Sequence, residues 1–291
     1  DVLTDMVFHS VYPQSEIEKE VEVIIDEIDS YKDSPSELIF DEFEQQLFGR
    51  CSLGRDILGD KNRLRTYTTA DALRFTGQYY RPDNAVFYLY GKADWSRLVR
   101  LLEKAHGIGA KQAGATDETG EKFTPAAQPR ASFAEPSTIR VNRGTHQAHV
   151  MMGAPTFAAD DPRRYALTLL NNIVGGPTMN SRLNMVVRER HGEDVARCRQ
   201  LVVRELQRLC DKPLTTAALR TAKAQICGQI GISCDNSEAF AVAMAKQYAH
   251  FGTQRDMLRI MEGIQTVSAT ELQDLARTIY DPDGLYTLIY R

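Results

Sequence analysis

Apolar side chains recur at helical spacing early in the chain. Val2, Leu3, Met6 and Val7 read as an interrupted helix. Ile17, Val21, Ile24, Ile25 and Ile28 then share one face of a helix predicted over residues 15–31, with Pro13 ahead and Ser15/Glu18 as its capping box. Two further helix starts carry the same signature, Thr68 with Asp71 and Ser268 with Glu271. Each of those helices must stop before a proline, Pro82 or Pro282, because the residue before proline is pushed out of the helical region. Residues 85–90 and 285–290 alternate apolar and polar, or run aromatic and β-branched, and read as strands. A strand is predicted over residues 138–152 and a helix over residues 160–174. Helices mixed with strands in this way predict an α+β fold with a mixed sheet covered by helices mainly on one face.

The pattern repeats. At an offset of 200 residues, Thr66-Tyr67-Thr68-Thr69-Ala70-Asp71 aligns with Thr266-Val267-Ser268-Ala269-Thr270-Glu271, and Tyr80-Arg81-Pro82-Asp83 with Tyr280-Asp281-Pro282-Asp283. The same offset pairs Pro13 with Pro213, Ser15 with Thr215, Phe40 with Phe240 and Tyr90 with Tyr290. Two copies of one domain explain a gapless register of that length. The copies are expected as residues 1–107 and 138–291, joined by a linker at residues 108–137 rich in Gly, Ala, Thr, Glu and Pro. Residues 138–200 of the second copy have no counterpart in the first, so the symmetry places roughly sixty residues of the first domain ahead of residue 1.

Composition narrows the function classes. The 291 residues are 43% hydrophobic and 25% charged, as in ordinary globular proteins, and no apolar run reaches the length of a membrane span. A net charge of −4 opposes a nucleic-acid binder that works through phosphate contacts. The five cysteines, Cys51, Cys198, Cys210, Cys227 and Cys234, form no CxxC pair and suggest free thiols in a reducing, cytoplasmic compartment.

The helix over residues 15–31 carries the most informative polar pattern. Glu20 and Glu27 lie seven residues apart, which places them about 20° apart around the helix, at the border of its apolar face and near Glu16. Clustered carboxylates repel one another unless a cation or a base compensates. The alternative is a solvated acidic flank. In the second copy the same positions hold Arg220 and Cys227, so only one copy keeps the acidic pair.

The run Glu20-Val21-Glu22-Val23-Ile24-Ile25-Asp26-Glu27-Ile28 with Asp33-Ser34-Pro35 resembles the pitrilysin/insulinase family of zinc peptidases, in particular its mitochondrial-processing-peptidase-like branch. Leu53-Gly54-Arg55, Ile57-Leu58-Gly59, Tyr80-x-Pro82-x-Asn84, Gly175-Gly176, Ser181-Arg182-Leu183 and Arg188-Glu189-Arg190-His191-Gly192 extend the resemblance over nearly the whole chain. It implies two related α/β domains closing around a chamber, with one zinc ion on the first. In that family an inverted His-x-x-Glu-His helix supplies two histidine ligands and a general base, a later glutamate is the third ligand, and an earlier one supports the site. The resemblance gives the third-ligand role to Glu27 and the supporting role to Glu20, and a substrate contact to Arg188. Three protein ligands leave zinc an open position for a water that a glutamate can deprotonate. The chain departs from the pattern twice. No His-x-x-Glu-His occurs in it, and Val195 stands where the family has a tyrosine seven positions after the arginine. By symmetry the missing motif belongs on the counterpart of the helix at residues 160–174.

Other signals carry less. His146-x-x-His149 sits in a strand-like pattern, where positions three apart point to opposite faces. His9, His106 and His250 are isolated. Gly175-Gly176-Pro177 reads first as a helix-ending turn, with Arg182 and Arg188 as a possible substrate-facing edge beside it. The cysteines lack a nucleophile's context and read as core thiols. The leading expectation is a zinc-dependent metalloendopeptidase acting on extended peptides, as a homodimer or as a heterodimer with a related subunit. The alternatives are a metal-free, inactive subunit that binds peptides or scaffolds an active partner, and a generic α/β binding domain.

Overall fold

A computed structural model describes residues 2–49, 51–106, 133–158, 160–177, 181–185, 195–253 and 256–291. The fold is α+β. In chain order the helices are α1 (Val2–Phe8), α2 (Gln14–Lys32), α3 (Pro35–Phe48), α4 (Lys61–Leu64), α5 (Thr69–Tyr79), α6 (Trp95–His106), α7 (Arg164–Gly175), α8 (Val195–Asp211), α9 (Thr216–Ser233), α10 (Ser237–Phe251), α11 (Met257–Thr266) and α12 (Ala269–Ile279). The strands are β1 (Thr138–Val141), β2 (His149–Gly153) and β3 (Tyr286–Tyr290).

The repeat is visible element by element. α5 and α12 begin and end at positions 200 apart, and each opens on a complete capping box, Thr68/Asp71 and Ser268/Glu271. Each is followed by a short turn of 3-10 helix, Pro82–Asn84 and Pro282–Gly284. α2 corresponds to α9, α3 to α10 and α4 to α11.

The chain forms two compact units, and they do not follow the chain in simple order. One holds residues 1–30, 56–130 and 237–255, and the other holds residues 31–55, 131–236 and 256–291. The exchanged pieces are equivalent under the repeat, for α3 belongs to the second unit and α10 to the first. Their contacts match as well. Phe240 of α10 packs on Tyr90 with ring centroids 5.4 Å apart. At the equivalent place in the other unit, Ile39 of α3 packs with Leu288 and Tyr290.

The second unit holds a three-stranded mixed sheet of order β1-β3-β2, with β1 parallel and β2 antiparallel to the central β3. Met151 and Met152 are adjacent on β2 and so point to opposite faces. Met151 packs with α3, while Met152 joins the larger core built on α7, α8 and α12. That core contains Leu169, Leu170, Leu206, Ile264, Leu272 and Ala276, all buried. Several helices therefore cover one face of the sheet and one helix covers the other.

Three local expectations need correction. Residues 138–152 are two strands, because the chain turns at Asn142–Gly144: Gly144 has φ +63° and its N–H donates to the Asn142 side chain at 3.1 Å. Residues 85–90 are not a strand. A strand exists only through its ladder, and the offset-200 counterparts of β1 and β2 fall before residue 1, so this segment has no partner within the sequence. The same pattern consequently meets two environments: Val86, Phe87, Leu89 and Tyr90 are 38–53% exposed, whereas Tyr286, Leu288 and Tyr290 are at most 2% exposed. Finally, α2 begins at Gln14, the Pro13 carbonyl accepts from the N–H groups of Glu16 and Ile17, and Ser15 lies inside the helix rather than capping it.

Candidate metal-ligand helix

α2 forms as its pattern dictates. Val21, Ile25 and Ile28 are buried, and Ile17 and Ile24 are half-buried. The helix is tied to its own unit at several points. Thr69 donates through its N–H to the Gln14 side chain at 3.0 Å and through its hydroxyl to the Tyr12 carbonyl at 2.7 Å. Arg65 reaches Glu22 at 3.5 Å, and Lys61 pairs with Asp29.

These contacts sort the acids of α2. Glu16 pairs with Lys19 at 2.8 Å, and Glu22 and Asp29 have the bases just named. Glu18, Glu20, Asp26 and Glu27 are exposed and enter no ion pair among the described residues, Glu18 accepting a hydrogen bond from the Gln14 side chain at 3.4 Å. Surface pairs of this kind contribute little, about 0–1 kcal/mol each, so the pairing identifies which acids have partners rather than what holds the helix.

The second copy shows what the Glu27 face meets when its neighbours are present. There the equivalent helix is α9. Ile226 is buried, Cys227 packs partly into the core to which α7 contributes, and Asn172 of α7 donates to Gln229 at 2.7 Å. Gln229 of α9 thus lies against α7, while Cys227 accepts a hydrogen bond from Gln265 of α11 at 3.4 Å. The equivalent positions on α2, Glu27 and Asp29, are exposed, as is Asp26, and the counterpart of α7 is not in this sequence.

Could these residues hold zinc unaided? Among the described residues no group of three or more His, Cys, Asp or Glu side chains is placed to bind a metal. Glu27 can supply one carboxylate ligand and Glu20 a second carboxylate beside it, which falls short of the three protein ligands of a catalytic zinc site. The chain alone does not fit the metal.

The other predicted site residues separate. Arg188 lies outside the described residues, as do residues 189–192 of its motif. Val195 opens α8. Arg182 turns toward the buried Glu205 of α8, at 3.9 Å, and Glu205 also pairs with Arg208. His149 lies in β2 and His146 in the loop before it, so the two do not share one strand. The five cysteines form no disulfide with one another; Cys51 and Cys210 are buried, and burial raises the Cys210 thiol pKa.

One polar cluster escaped the sequence reading. Glu42 of α3 accepts a hydrogen bond from the Tyr290 hydroxyl at 2.7 Å and pairs with Arg143, whose guanidinium lies 5.1 Å from the Tyr290 ring centroid. Burial lowers the Arg143 pKa, but the hydrogen bond and charge of Glu42 outweigh it and the group stays above its ordinary value. These three residues are far apart in sequence and belong to no motif, so only the fold brings them together.

A profile of the Peptidase M16 inactive domain matches residues 66–196. An uncharacterised zinc protease of Streptomyces coelicolor is 27% identical over 96% of this chain and 66% of its own length. That alignment runs over 312 positions, more than the chain's 291 residues, so the relative carries residues that this chain lacks within the matched span. An uncharacterised zinc protease of Bacillus subtilis is 26% identical over 99% of this chain and 74% of its own length. Among solved structures, a protease from Helicobacter pylori superposes with a TM-score of 0.78 at 16% identity, over 96% of this chain and 72% of that one. The chain is thus similar over nearly its whole length to proteins named zinc proteases, and over residues 66–196 to the Peptidase M16 inactive domain.

Proposed function

We propose that the chain is the part of a zinc-dependent metalloendopeptidase that supplies Glu27 as a metal ligand and Glu20 as the carboxylate that orients the site. On this reading the histidine ligands and the general base come from the roughly sixty residues that the repeat places ahead of residue 1. Zinc would supply Lewis-acid chemistry for peptide hydrolysis. The chain's own share is to present two carboxylates on a rigid helix and to enclose an extended peptide between two related domains, residues 1–107 and 138–291.

The observation that carries this reading is the contrast between α2 and α9. The second copy packs a neutral Cys227 partly into its core, with a hydrogen bond from Gln265 of α11, whereas the same position of the first copy offers the exposed carboxylate of Glu27. The names of the two zinc-protease relatives support it. Exposed acids with no metal to bind would be ordinary solvated side chains, and nothing would oppose their replacement by any other polar residue.

A second reading rests on the matched profile, which describes an inactive domain. It makes the chain a metal-free, peptide-binding or scaffolding subunit beside an active partner. In either case we infer a homodimer or a heterodimer with a related subunit, and a reducing compartment such as the cytoplasm from five cysteines that form no disulfide with one another. The longer chain separates the two readings. With the peptidase assignment, Glu20→Gln keeps most of the zinc and loses turnover of an extended peptide by at least about tenfold, as loss of a metal-site supporting group does. Wild-type turnover in that variant removes Glu20 from the site.

A further inference from the structure

Among the described helices, α2 alone is cut by the division into units. Its residues up to Ser30 belong to the first unit, and Tyr31 and Lys32 belong to the second. Glu27 therefore lies about one helical turn ahead of the boundary. Only Asp33 and Ser34 separate α2 from α3, which lies wholly in the second unit. The second copy is arranged differently. There the boundary follows residues 234–236, between α9 and α10, and α9 stays whole within one unit. The copy that carries the acidic pair is the one whose helix is divided.

The joint after α2 has little slack. The Ser34 N–H donates to the Tyr31 carbonyl at 3.1 Å, and the Ser34 carbonyl accepts from the N–H groups of Glu37 and Leu38, each at 3.0 Å. Pro35 opens α3 and keeps Ser34 out of the helical region, at φ −108° and ψ 89°. Two residues span at most about 7 Å, so a shift of α3 beyond that reach is taken up by the last turn of α2. Both helices are anchored away from the joint. In the first unit, Thr69 donates to the Gln14 side chain and the Tyr12 carbonyl at the start of α2. In the second unit, Glu42 accepts from the Tyr290 hydroxyl at 2.7 Å and pairs with Arg143. Gln46 donates to the Ser137 carbonyl at 2.9 Å, and Ile39 is buried against Leu288 and Tyr290. A helix end is its least stable part, because its last carbonyls have no intrahelical donor. Here the Tyr31 carbonyl finds its donor in Ser34, at the entrance to α3.

We propose that Glu42 is a positioning residue for Glu27: by seating α3 in the second unit it keeps the final turn of α2 helical through the Asp33-Ser34 joint. Loosening α3 in one unit then frays the turn that carries and follows Glu27 in the other. The two-state element is that turn, helical or frayed. The coupling belongs to the chain itself and does not rest on Glu27 being a metal ligand; that reading gives it a use.

The test is native-state amide exchange of the 291-residue chain, read residue by residue by NMR. Glu42→Gln removes the charge and keeps the shape. Exchange at Ile28, Asp29, Ser30 and Tyr31 is expected to quicken at least about tenfold, the size of one hydrogen bond to a charged group. The amides of α5, in the same unit as Glu27, are expected to keep their rates. Tyr290→Phe removes only the hydroxyl that Glu42 accepts, and is expected to move the same amides in the same direction by a smaller factor. A third variant carries two glycines inserted between Asp33 and Ser34. In that background Glu42→Gln is expected to add less than about twofold, because the joint no longer transmits. Unchanged exchange at residues 28–31 in Glu42→Gln overturns the proposal, and should that variant not fold, unchanged exchange in Tyr290→Phe does so. A uniform rise across α2 and α5 also overturns it, since that would be a loss of global stability. So does a full tenfold addition in the glycine background. Each measurement is made without metal, so its failure leaves the Glu27 reading to be decided by the zinc content of the longer chain.

Discussion

At the residue scale, polar chemistry follows local geometry where the partners are near in sequence and the fold where they are not. Thr68/Asp71 and Ser268/Glu271 were legible because a capping box closes within one turn of helix. Ser15/Glu18 has the same spacing and forms no cap, since the Pro13 carbonyl starts the helix earlier. Glu42, Arg143 and Tyr290 carry no sequence signal at all. Their cluster is half-buried, so Glu42→Ala is expected to cost about 2 kcal/mol in denaturant unfolding by leaving Arg143 and the Tyr290 hydroxyl without their acceptor. An unchanged midpoint would show the cluster to be ornamental. Tyr280 gives a pH dependence. Burial, followed by the nearby Cys210, raises its phenol above the ordinary value of 10.0. The unfolded chain then releases this proton at lower pH than the folded one. The stabilisation is complete below pH 10 and declines as pH rises beyond it. Tyr280→Phe is expected to flatten that alkaline decline in urea titrations; an identical slope in the variant would place the effect elsewhere.

At the element scale, periodicity located the helices better than the strands. α5 and α12 sit where their caps and prolines put them, and α2 buries the apolar face that its spacing describes. Strands depend on partners that lie elsewhere in the chain. The alternating segment 85–90 therefore failed where β3, with the same character, succeeded between β1 and β2. The break at Asn142–Gly144 was a turn signal inside an apolar run, and the N–H groups of Arg143 and Gly144 both donate to the Arg291 carbonyl there. Helix packing also depends on one small residue. A Cβ on Gly263 of α11 would lie 2.7 Å from the ring of Tyr165 on α7. Gly263→Ala is thus expected to destabilise the second unit by about 1–3 kcal/mol despite the better helix propensity of alanine. A more stable Gly263→Ala variant would contradict this packing.

At the scale of the whole molecule, the duplication was readable because one offset holds without a gap, and the exchange of α3 and α10 between units was not. A sequence pattern tells which face of a helix is apolar, but not which copy supplies the cover. Ile39 and Phe43 on α3 and Phe240 on α10 would satisfy the pattern in either unit. The site was legible to the same degree. Glu20 and Glu27 stood out by asymmetry between copies, and the structure adds that neither finds a base among the described residues. What the sequence of this chain lacks is a counterpart of α7.

The most direct test is the zinc content of the longer chain, with the residues that the repeat places ahead of residue 1, measured by plasma mass spectrometry after dialysis. The account predicts about one zinc per chain in the wild type and a loss of most of it in Glu27→Gln, as removal of one of three protein ligands requires. Zinc bound in equal amount by both proteins would contradict it.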